Sequence, residues 1–79
     1  MPKTTTRRHP HLEPFGDRVR QRRQELGLSQ EALGQRAGLH PTYIGGIERG
    51  ERNLSLHNIL KVARALEIDA GELMRGLTP

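Results

Sequence analysis

Few residues in this sequence could do chemistry on a substrate. His9 and His11 form its one close histidine pair, and neither a carboxylate nor a cysteine stands at ligand spacing beside them. A metal site is therefore not expected. No serine or threonine is accompanied by a plausible base, and no glycine-rich phosphate loop follows a strand. The chain is expected to be no enzyme and to need no cofactor. What remains is recognition by guanidinium, amide and hydroxyl groups, and the cationic ones are unevenly placed. Residues 1–23 carry Lys3, Arg7, Arg8, Arg18, Arg20, Arg22 and Arg23 against Glu13 and Asp17, a balance of +5, whereas residues 24–79 balance to −1. Such a gradient points to a polyanionic partner, although a basic tail that only keeps the chain soluble fits it as well.

The elements that must position these groups are short. Seventy-nine residues make one small domain with a modest core, for which self-association is a natural source of extra stability. There is no cysteine, which excludes a disulfide framework and suits the cytoplasm. No apolar run is long enough to span a membrane, and no apolar stretch follows the basic N-terminal residues, so neither membrane nor export is expected. Residues 1–14 hold three prolines and one isolated leucine and read as a flexible basic arm. From residue 15 the periodicity becomes helical. Phe15, Val19, Arg22 and Leu26 mark a first helix stopped by Gly27. Ser29 caps a second with Ala32, Leu33 and Ala37, and His40-Pro41 opens a third with Ile44 and Ile47 buried. Ser55 caps a fourth, with a stripe of Leu56, Ile59, Leu60, Ala63 and Leu66; Asp69 caps a fifth, with Leu73, Met74 and Leu77. The expected fold is all-α: five short helices and no strand.

Gln30 to Arg49 is the most specific stretch. Gly38-Leu39-His40 is a three-residue turn that forces the second and third helices to cross steeply. Gly34 supplies the small residue where they come closest, Gly38 tolerates positive φ, and Leu33, Leu39, Ile44 and Ile47 form the apolar wedge. These demands met together predict a helix-turn-helix.

The run LSQEALGQRAGLHPTYIGGIERGERNLSL, followed by NILKVARALEI, resembles the lambda-repressor/Cro-like (Xre-type) helix-turn-helix family. LHPTY and IERGERNLSL resemble, within it, the controller proteins of restriction–modification systems, although DNA-binding antitoxins and short autorepressors share the same core. The resemblance implies a lambda-repressor-like DNA-binding domain over residues 15–77. It also implies transcriptional regulation by a homodimer on a palindromic double-stranded operator, with RNA polymerase as a further candidate partner. A helical protein–protein adaptor is the alternative from another class of function.

On that resemblance the third helix lies in a major groove and presents Pro41, Thr42, Gly45, Gly46 and Arg49. Thr42 would touch a thymine methyl or hydrogen-bond a base edge, and Arg49 would reach a guanine edge or, better suited to its place at the far end of the helix, a phosphate. Tyr43, at the flank, has two open roles, backbone contact or half-buried packing. Gln30 would grip a phosphate at the second helix N-terminus, Arg52 and Asn53 would flank the groove, and His40 is a cap first and a phosphate ligand second. Pro41 stands where relatives often carry arginine, and Gly45-Gly46 remove two more side chains. Direct readout is therefore expected to be sparse, with deformability carrying part of the selection; the two glycines either let the backbone approach DNA closely or leave the helix weak. Glu48 is expected to pair structurally with Arg23. Lys3, Arg7 and Arg8 have two open fates, a neighbouring groove or no contact. The expected dimer interface is Leu66, Ile68, Leu73, Met74 and Leu77, with the intramolecular core as the competing use of these residues.

Overall fold

The structure, a computed structural model, describes residues 9–79. Its order is α1 (Leu12–Glu25), α2 (Gln30–Ala37), α3 (Pro41–Glu48), α4 (Leu56–Ala65) and α5 (Ala70–Met74), with no strand among the described residues. Local chemistry sets most of the boundaries. The Ser29 and Ser55 hydroxyls accept from the backbone N–H of Ala32 and Asn58, and the Asp69 carboxylate accepts from Gly71. At α3 the cap is imidazole: His40 Nδ1 accepts from Thr42 N at 3.0 Å, and Pro41 takes the first helical position. Gly38 ends α2 at φ 71°, a conformation open to glycine at no steric cost.

Two expectations about boundaries and faces need correction. The arm was expected to reach residue 14, but α1 already includes Leu12, Glu13 and Pro14, with Leu12 buried. Proline fits here because the first turn has no intrahelical acceptor for its missing N–H. The second correction concerns α4. Leu56 and Leu60 are 67% and 51% exposed, while Val62, Ala63 and Leu66 enter the core and Ile59 packs against it. At 3.6 residues per turn, Leu60 lies about 100° round from the Ile59–Leu66 centre of the stripe. The apolar face of α4 is wider than the small core can cover.

The core gathers Phe15 and Val19 of α1, Leu33 and Ala37 of α2, Ile44 and Ile47 of α3, and Val62, Leu66 and Leu73 beyond. Two glycines permit its tightest crossings. A Cβ on Gly34 would stand 2.5 Å from the carbonyl oxygen of Leu39, which seats the turn against α2. A Cβ on Gly16 would collide with the carbonyls of Ile47 and Glu48, the latter at 2.8 Å, so α1 crosses the end of α3 backbone against backbone. Gly16 was not singled out from sequence, because no local turn or cap calls for it.

Several arginines of the basic N-terminal half are spent on helix ends. Arg22 Nε donates to the Leu66 carbonyl and Arg18 Nη1 to that of Leu73, both at 3.0 Å. Arg36 Nη1 reaches the Ala65 carbonyl and pairs with Glu67. Cations at the orphan carbonyls of α4 and α5 satisfy acceptors and oppose the negative helix end. The concentration of positive charge at the start of the chain is thus partly structural in origin.

Candidate nucleic-acid interface

Arg23, on α1, sends Nε to Glu48 Oε2 at 2.6 Å and Nη2 to Glu48 Oε1 at 3.0 Å, while Nη1 donates to the Leu28 carbonyl at 2.8 Å. Glu48, the last residue of α3, is 4% exposed. The hydrogen bonding that Arg23 donates to Glu48, opposed by burial and aided by charge attraction, raises the Arg23 pKa above its ordinary value. A forked guanidinium is suited to this two-point grip on a carboxylate. The pair clamps α3 to α1 and fixes the angle at which α3 is presented. Gln30 joins them, its Nε2 donating to Glu48 Oε1 at 3.1 Å. That third member was not foreseen, since Gln30 had been read as a free donor for phosphate.

The inner face of α3 is Ile44 and Ile47, both fully buried. Thr42 is exposed at the opposite end of the same helix, its backbone N–H held by His40, and Pro41 is half-buried beside it. Tyr43 is half-buried against the core, and its hydroxyl accepts from Asn58 Nδ2 at 3.1 Å. Asn58 had not been foreseen; the pairing joins residues of α3 and α4 that no local pattern links. Arg49 is exposed just past α3 and pairs with Glu51 at 3.2 Å. Arg52 lies with its guanidinium 5.7 Å from the Tyr43 ring centre, within range of a cation–π contact. Asn53 and His40 are exposed at the margins.

The glycines differ from expectation. Gly45 and Gly46 are buried rather than open. A Cβ on Gly45 would stand 3.1 Å from Arg49 Nη1 and 3.4 Å from Gln30 Oε1; one on Gly46 would stand 2.9 Å from Arg52 Nε. The absent side chains leave troughs in which neighbouring polar groups lie. The four-residue step from Gly45 to Arg49, one helical turn, was the sequence signal for the first of these coverings. Thr42, Arg49 and Arg52 are thereby displayed around one short, convex helix, and Gln30 is drawn onto the same surface. Lys3, Arg7 and Arg8 lie outside the described residues.

The expected dimer set divides. Leu66 and Leu73 are 0% and 1% exposed and belong to the intramolecular core, so they offer nothing to a partner. Ile68 and Leu77 are partly buried against that core, and Met74 is exposed. Leu56 and Leu60 were not in the set and are, among the described residues, the most exposed large apolar side chains.

Two short helices crossing at a glycine turn, with the second held out by a buried ion pair, define a helix-turn-helix protein. The helix-turn-helix family model matches residues 19–73, and the chain belongs to that family. It is 48% identical over 61 residues to control protein C.BamHI of Bacillus amyloliquefaciens, covering 76% of this chain and 75% of that one. Among solved structures it is similar to the restriction–modification controller protein C.AhdI from Aeromonas hydrophila (TM-score 0.80, 52% identity, 82% of this chain and 98% of that). It is also similar to the P22 c2 repressor in complex with a synthetic operator (TM-score 0.74, 34% identity, 78% and 94% of the two chains). No helix among the described residues is long and apolar enough to cross a membrane.

Proposed function

We propose that this chain is a sequence-specific DNA-binding transcriptional regulator that acts as a homodimer on a palindromic operator, of the kind that controls a restriction–modification operon. The observation that carries the reading is the display of Thr42, Arg49 and Arg52 around α3, whose other face is closed by Ile44 and Ile47. A convex helix with cationic groups at its far end fits the width of a major groove. The kinship with C.BamHI and C.AhdI supports the controller subtype over an antitoxin, and the P22 repressor–operator complex supports DNA as the ligand. Its place of action is the cytoplasm, its role is binding rather than catalysis, and RNA polymerase is the partner through which it would change transcription. The residues that precede α1 would add Lys3, Arg7 and Arg8 to a neighbouring groove.

The dimer face we assign to Leu56, Leu60 and Met74, the last of which also lines an open apolar groove of about 360 Å³ with Leu54, Ile59 and Leu77. A two-fold pair would set two copies of α3 about 34 Å apart, one turn of duplex. A gel shift with random duplex at two salt concentrations tests the reading. Binding should weaken steeply as salt rises, with a log–log slope of about −0.9 per neutralised phosphate. No binding at low salt would favour a protein–protein adaptor instead.

A further inference from the structure

We propose that Gly46 and Asn58 are positioning residues for Arg52: a trough over Gly46 and a Tyr43 ring pinned by Asn58 hold its guanidinium where it grips a DNA phosphate. The inference rests on the DNA-binding reading above, in which Arg52 flanks the groove, and adds the residues that fix it there. The end of α3 turns the chain back on itself. Gly50 takes φ 76°, and the Glu51 N–H donates to the Gly46 carbonyl at 2.9 Å, the pattern that closes a helix at a left-handed glycine. Arg52 therefore returns over the helix the chain has just left. A Cβ on Gly46 would stand 2.9 Å from Arg52 Nε, 3.1 Å from Cγ and 3.5 Å from Cδ, so the arginine stem lies where a methyl group would be.

Beyond the trough, Arg52 Cζ lies 5.7 Å from the centre of the Tyr43 ring. That ring is fixed at both ends. Its body packs against the core, and its hydroxyl accepts from Asn58 Nδ2 at 3.1 Å. Asn58 is itself held at the first turn of α4, where its backbone N–H donates to the Ser55 cap. An exposed arginine ordinarily loses rotational freedom when it closes on a phosphate, and that loss is subtracted from affinity. Here much of that freedom is given up on folding, before DNA arrives. Arg49 is drawn to the Glu51 carboxylate, whereas Arg52 rests on a glycine backbone and an aromatic face, neither of which cancels its charge. The guanidinium is ordered and still free to attract an anion.

The test is a double-mutant cycle on duplex affinity, measured by titration at fixed low salt with thermal melting of each variant recorded alongside. Gly46→Ala should melt no lower than the wild type, because alanine is the better helix former and the three atoms nearest its methyl group all belong to the flexible Arg52. It should nevertheless bind about 2- to 12-fold more weakly per copy, the range for one rotamer-rich side chain set free. Asn58→Ala should weaken binding within the same range. Tyr43→Phe keeps the ring and loses only the hydroxyl, so it repeats that test if Asn58→Ala melts early. Combined with Arg52→Ala, none of the three should weaken binding further, since no guanidinium is left to hold. A loss that persists without Arg52 would mean that the altered residue meets DNA itself, and would overturn the proposal. Unchanged affinity in Gly46→Ala, or in Arg52→Ala alone, would overturn it as well. If the wild type binds no duplex, the functional reading falls and this inference with it. Binding in which the substitutions simply add to Arg52→Ala sinks the inference alone.

Discussion

Replacing Arg23 by alanine should bring the fold close to its limit. The substitution removes both hydrogen bonds to Glu48 and leaves a carboxylate that is 4% exposed with Gln30 as its remaining side-chain donor. Stripping one partner from a buried ion pair costs about 3–5 kcal/mol, because the surviving charge is neither solvated nor neutralised. The lost bond to the Leu28 carbonyl belongs to the same damage. A 79-residue domain has a total stability of about 4–12 kcal/mol, so the variant keeps little or none of it. The double substitution Arg23→Met with Glu48→Leu removes both charges and should recover most of the loss. Urea denaturation followed by helical circular dichroism would report the two midpoints. The sign with pH is also set. Arg23 has a raised pKa in the folded state, so its contribution is complete below the ordinary arginine value and is lost only as pH climbs above it. A loss below about 1 kcal/mol for Arg23→Ala, the range of exposed pairs, would refute the reasoning that this pair is what clamps α3.

Gly16→Ala should cost roughly 2 kcal/mol or more despite the better helix propensity of alanine, because its methyl group meets the rigid backbone carbonyls of Ile47 and Glu48; a thermal melt checks it. Leu60→Glu should leave the melting of the monomeric fold within about 0.5 kcal/mol, since the side chain is half-exposed, yet shift the mass in sedimentation from dimer to monomer. A dimer that persists would move the interface elsewhere. Arg52→Ala should weaken all duplexes alike and shallow the salt dependence by about 0.9 per phosphate lost, counted for each copy. Thr42→Ala should instead change which base is preferred at one position, as titration of single-base operator variants would show.

The starts of α2 to α5 were legible because a cap is a local affair, whereas α1, whose N-cap His11 makes no side-chain cap hydrogen bond, begins earlier than its sequence suggests. Ser29, Ser55 and Asp69 bind backbone donors two or three residues onward, and Gly38 answers a need of its own φ. The helix-turn-helix was legible for the same reason, its turn and wedge lying within twenty residues. Most of the other corrections concern partners far apart in the chain. Arg22 reaches Leu66, 44 residues on, and Arg18 reaches Leu73, 55 residues on, so arginines that look like a charge gradient become helix caps. Gln30 meets Glu48 across 18 residues, and Gly16 is needed because α3 passes over it. On α4 the linear pattern marks every leucine as apolar without saying how wide the core is. Periodicity and capping belong to neighbours within a turn or two and can be read along the chain. Which apolar edge stays wet, and which cation meets which carbonyl, depends on how five helices share one small interior, and that is settled when they pack.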